Sequence, residues 1–142
     1  MNGSHIVALA RAWIGTPYLH QASLQGVGCD CLGLVRGVWR SLYGREPEPV
    51  PPYSRDWAEA ACIETLAQAG MRHLRAVDIA ARQPGDVLLF RWRAGLVAKH
   101  AAILSDATHM IHAHDGAAVA EVAFAPFWQR RLAYVFRFPG VE

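Results

Sequence analysis

Between residues 70 and 87 the spacing of apolar residues changes period, and that change constrains the fold more than any other feature of the chain. Before it the spacing is helical. Ile6, Leu9, Ala10, Trp13 and Ile14 fall on one face and predict a helix over 5–14, capped by Ser4 and ended by Gly15 and Pro17. Cys31, Leu34, Val35, Val38, Trp39 and Leu42 predict a second, from Cys31 to Tyr43, with Asp30 as N-cap and Gly44 at its end. The Ala-rich stretch 55–69 reads as a third, stopping at Gly70. After the change, strands are predicted at Val87 to Phe90, His100 to Leu104, His109 to His114, Val119 to Phe124, and through Leu132, Tyr134, Phe136 and Phe138. Helices first and hairpins after predict an α+β fold, with N-terminal helices packed on a meandering antiparallel sheet. Residues 46–53 hold four prolines and read as an extended surface connection.

Composition narrows the function classes. At 142 residues the chain fits one domain over 1–142. With 53% hydrophobic and 18% charged residues, disorder is not expected. Fourteen basic against twelve acidic side chains leave a net charge of +2, which gives no electrostatic case for nucleic acid or a membrane surface as partner. No apolar stretch is long enough to span a bilayer. The N-terminus lacks a basic leader and carries Arg11 in its apolar run, so synthesis in the cytoplasm without a signal peptide is the expectation. Cys29, Cys31 and Cys62 cannot all pair within one chain, which fits a reduced protein.

Cys31 carries the chemical interest. It falls in the first turn of the second helix, where orphan N–H groups and the helix dipole favour a thiolate and can hold a developing oxyanion. His100 and His112 lie on successive strands around a turn near Asp106. A three-residue loop with a bulge would set them opposite one another, and a two-residue loop on a diagonal. Either arrangement suits a base whose second ring nitrogen is held by an orienting residue. His114 is a spare candidate for that third place. Two other readings stay open. Cys29, Cys31, His112 and His114 could form a zinc set, although C-x-C and H-x-H are unusual spacings. The five tryptophans and the proline connection could instead form a docking face of a structural protein.

Five segments in order carry a resemblance. Gly15-Thr16-Pro17-Tyr18, Gly28-Cys29-Asp30-Cys31-Leu32-Gly33-Leu34-Val35, Gln83-Pro84-Gly85-Asp86-Val87, His100-Ala101-Ala102-Ile103-Leu104 and Met110-Ile111-His112-Ala113 resemble the NlpC-type cysteine peptidases. That family is papain-like and cleaves cell-wall peptides. The resemblance implies Cys31 as nucleophile, His100 as base, His112 as orienting residue, and Tyr18 and Asp30 beside the oxyanion or substrate. It implies no cofactor and no metal. It also implies a peptidoglycan substrate, cut between D-glutamate and a diamino acid. Leu32 stands where the family usually has serine, which bears on specificity. The loop from Leu19 to Gly28 and the run Cys-Asp-Cys-Leu-Gly-Leu are similar to the branch encoded with tail genes of phages and gene transfer particles. A place at a virion tail tip, among tail-tip or hub proteins, follows from that branch, as does the alternative of a structural tail-tip subunit.

Overall fold

The computed structural model describes residues 1–50, 64–114 and 116–142. The chain opens with α1 (Gly3–Arg11), then β1 (Ser23–Leu24), β2 (Gly28–Cys29) and α2 (Cys31–Tyr43). It continues through α3 (Thr65–His73), β3 (Arg75–Val77), a 3-10 turn at Ile79–Ala81, β4 (Val87–Arg91), β5 (Ala98–Asp106) and β6 (His109–His112). It closes with β7 (Ala120–Ala123), α4 (Pro126–Gln129) and β8 (Leu132–Arg137). The fold is α+β. Six strands form one antiparallel sheet in the order β3-β8-β4-β5-β6-β7, so the expected meander runs from β4 to β7 with β8 and β3 added beyond β4.

Strand alternation divides the core between the two sheet faces. Val87, Leu89, Ala101, Ile103 and Ile111 join Ile6, Ala10, Leu34 and Val38 beneath the helices. Leu88, Phe90, Ala102, Leu104 and Met110 point the other way and pack with Phe124, Val135 and Trp128. No helix among the described residues is long and apolar enough to cross a membrane.

The second helix begins and ends where its caps place it. The others depart from expectation. Asn2, not Ser4, caps α1 by accepting the His5 N–H at 3.1 Å, while the Ser4 hydroxyl donates to Asn2. That helix stops at Arg11, and the turn that follows still buries Trp13, which is why the apolar spacing runs on past the helix. Helix α3 passes through Gly70 to His73. Gly70 is a close-approach position there, since a Cβ would stand 2.6 Å from the Phe136 ring. The earlier part of that predicted helix, and Cys62, lie outside the described residues. So do residues 51–53 of the proline connection, whose described part, 46–50, is neither helix nor strand. Strand β6 ends at His112, leaving His114 beyond it. Edge strand β3, the β1–β2 pair and α4 were not expected from the sequence.

Helix α2 is seated through glycine. A Cβ on Gly37 would lie 2.0 Å from the ring of buried Trp13. Alanine is favoured over glycine within a helix by about 1 kcal/mol, but overpacking a full core costs about 1–3 kcal/mol. Gly37→Ala is therefore predicted to lower the denaturation midpoint with the m-value unchanged in a urea titration. A stabilised variant would mean that Trp13 yields freely.

Candidate active site

The site grows from the start of α2. Buried Asp30 has an extended backbone, and its Oδ1 accepts the Gly33 N–H at 2.7 Å, closing the helix cap. Its Oδ2 accepts the Gln21 N–H at 2.7 Å, and the His20 Nδ1 lies 3.9 Å from the same oxygen. Gln21 sits at φ 68, in left-handed backbone that a side chain rarely adopts. One carboxylate therefore fixes both the helix start and the loop leading into it. Tyr18 is half-buried on that loop, bridged to Cys29 in parallel fashion, with the Cys29 N–H donating to the Pro17 carbonyl.

Cys31 follows the cap. Its sulfur packs on β5, 3.8 Å from the Lys99 carbonyl oxygen and within hydrogen-bond reach of the Ala101 N–H. These two groups flank His100 in the chain. The strand is irregular there. Phe90 pairs with His100 and Arg91 with Ala98, so Lys99 is an extra residue in a bulge, a device that re-aims side chains beside functional sites.

His100 and His112 meet directly, with Nε2 of one 2.8 Å from Nδ1 of the other. The β5–β6 turn has two residues, 107–108, and a bulge at Ser105 precedes it. Ile103 pairs with Ile111, so the histidines occupy the diagonal of the two expected arrangements. Both rings are buried. His114 is exposed, and its ring lies 5.6 Å from each of the others. The structure thus brings His100 and His112 together, and it brings Cys31 to the same stretch of β5. The sulfur's hydrogen bond goes to strand backbone rather than to an imidazole. Among the described residues no group of three or more His, Cys, Asp and Glu is arranged to hold a metal ion.

Sequence reasoning missed the aromatic wall of this site. Trp92 follows β4, and Trp128 stands on α4; their rings lie 5.2 Å and 5.3 Å from His100. Pro126 at the first position of a helix was the available signal for α4. Trp13 is core and Trp39 is half-buried, while Trp57 lies outside the described residues.

Burial sets the protonation states. It pushes the Cys31 thiol up to about 12, and the Asp30 charge adds to this against the opposing N–H groups of Ala101, Leu32 and Cys31 itself. The helix tip therefore does not yield the resting thiolate expected from its dipole. Burial also holds His100 well below its ordinary value, with further contributions from His112 and His114. It lowers His112 to about 4, helped by His114. At neutral pH the thiol and both buried imidazoles are uncharged.

The fold and site define a class, an α+β protein in which a helix-tip cysteine packs on the strand carrying one of two paired histidines. The chain belongs to the NlpC/P60 family, whose model matches residues 15–137. Solved structures agree on the fold. The NlpC/p60 domain of the peptidoglycan hydrolase SagA is 23% identical with TM-score 0.66, covering 97% of this chain and 100% of that one. An NlpC/P60 family protein from Bacillus cereus is 20% identical with TM-score 0.69, covering 97% of this chain and 40% of its own. NlpC2 from Trichomonas vaginalis is 18% identical with TM-score 0.65, covering 96% of this chain and 46% of its own. No curated protein matches the chain.

The buried histidines couple stability to pH. Unfolded His112 titrates near 6.5 and the folded residue near 4. As pH falls through that window the unfolded chain binds protons that the folded chain refuses, so the contribution present above pH 6.5 is lost by about pH 4. Thermal melts from pH 7 to 4 should show this decline, and His112→Gln should flatten it. An equally steep decline in the variant would place the coupling elsewhere.

Proposed function

We propose that this chain is a cysteine peptidase that hydrolyses an amide bond in the peptide stems of peptidoglycan. The observation that carries this reading is the buried His100–His112 contact on the strand against which the α2-tip cysteine packs, in a chain of the NlpC/P60 family.

The chemistry follows from the protonation states. With both imidazoles neutral, only one of the facing nitrogens carries the proton. If His100 donates from Nε2 to His112 Nδ1, the His100 Nδ1 keeps its lone pair and can act as base. His112 is then the orienting residue. The sulfur leaves the Lys99 carbonyl as substrate enters, in line with catalytic hydrogen bonds that tighten only in the complex. His100 takes the thiol proton as the sulfur bonds to the substrate carbonyl carbon. N–H groups in the first turn of α2 receive the developing oxyanion. His100 returns the proton to the leaving amine as the C–N bond breaks. Water, deprotonated by His100, then attacks the thioester and releases the acid and the thiol. A half-buried thiol that starts protonated needs this base in the attack itself, not only in product release.

Finer assignments rest on the sequence resemblance. They are a scissile bond between D-glutamate and a diamino acid, with Tyr18 near the oxyanion or substrate and Asp30 acting there through the loop it fixes. Delivery from a virion tail tip, docked on tail-tip or hub proteins, is proposed on the same basis. Leu32 offers no side-chain hydrogen bond, so recognition of the substrate's amino end falls to other groups.

Digestion of defined stem peptides, followed by mass analysis, tests the reading. Cys31→Ala is expected to abolish cleavage, and His100→Ala to slow it by about 10²–10⁴-fold. Undiminished turnover by Cys31→Ala would overturn the nucleophile assignment.

A further inference from the structure

The His100–His112 pair is walled by indoles that the proposed mechanism does not use. The Trp128 ring centroid lies 5.3 Å from His100 with planes 28° apart, and 5.2 Å from His112 with planes 88° apart. Trp128 therefore stacks on one imidazole and meets the other edge-on, so it touches both partners of the hydrogen bond. Trp92 stacks on His100 at 5.2 Å and 30°, and lies 5.8 Å from Trp128. Phe90 stands 5.2 Å behind Trp128 and 5.9 Å from His100.

Arg131 braces the wall. Its Nε donates to the Trp92 carbonyl at 3.0 Å and its Nη1 to the Phe127 carbonyl at 2.8 Å, while its guanidinium covers the Phe127 ring at 3.7 Å. One side chain thus ties the segment holding Trp92 to the short helix holding Trp128.

From this geometry we infer that Trp128, backed by Trp92 and Arg131, is a positioning residue for the proposed base, fixing the rotamers of His100 and His112 and shielding their hydrogen bond from water. The inference rests on the peptidase reading for its catalytic consequence, but the ring geometry stands without it. A flat ring is needed to do this. Its loss would let the imidazoles turn and hydrate, even with the backbone unchanged. The other titratable group against the pair is His114, on the extension of β6, while Cys31 from α2 meets the backbone that flanks His100. Lys99 is the chain neighbour of His100, and Arg131 is held by the Trp92 carbonyl.

The test compares Trp128→Leu, which keeps an apolar side chain without a ring, with Trp128→Phe, which keeps a ring; Trp128→Ala is a harsher third variant. Two readouts are taken on the full chain, the NMR titration of the His100 and His112 side chains and the hydrolysis of stem peptides. In Trp128→Leu both histidines should titrate closer to 6.5 than in the wild type, and Trp128→Phe should restore most of the difference. The kcat of Trp128→Leu should fall about 10-fold with KM within 2-fold, and the acid limb of its pH profile should move up. Unchanged titration and unchanged kcat in a folded Trp128→Leu would overturn the inference while leaving the peptidase intact. Shifted titration in a chain that cleaves no stem peptide would support the wall and overturn the substrate reading instead.

Discussion

The close seating of the first turn of α2 on β5 is the constraint on which the rest of the site depends. Small residues permit it. Ala101 presents only a methyl group toward the helix, and the same turn lies as close to the preceding loop, where a Cβ on Gly33 would stand 1.9 Å from the Ala22 carbonyl oxygen. Asp30 then locks the arrangement by closing the helix cap with one oxygen and holding the strained loop at Gln21 with the other. The sulfur reaches the backbone on either side of His100 because both partners come this close. Cap, loop and strand bulge act as one device, and an error in any of them would displace the sulfur from the strand.

The same close packing decides the electrostatics. A helix tip lowers a thiol's pKa by a partial charge that fades within a turn, whereas burial removes water from the whole group. Here burial prevails, and Asp30, which is needed for geometry, adds a like charge. Burial acts on the histidines, against the aromatic wall, with the opposite sign, since it disfavours their charged form. The outcome is a neutral thiol packed on the strand that carries a neutral imidazole. In the proposed reaction proton transfer accompanies bond formation, and the indole wall helps to keep that environment dry.

What the sequence revealed, and what it hid, follows the range of the forces concerned. Helix α2 was legible to the residue because Asp30 and Gly44 act locally. The pairing of His100 with His112 was legible because one hairpin sets it, and only the loop length had to be learned from the structure. Gly70 misled because a glycine that admits the Phe136 ring looks in sequence like one that ends a helix. Trp92 and Trp128 were not legible as neighbours of His100, because their contacts depend on α4 folding back over the far face of the sheet. The raised thiol was hidden for the same reason. The dipole can be inferred from a helix start, but burial requires the whole fold.

The most direct measurement of the central claim is capture of the covalent intermediate. The protein is mixed with a defined stem peptide, quenched in acid within a turnover, digested, and its cysteine-containing peptides weighed. The account predicts a transient acyl adduct on the peptide carrying Cys31, absent when His100 is replaced. Cleavage that proceeds with no adduct on that sulfur, or with one on Cys29 instead, would contradict it.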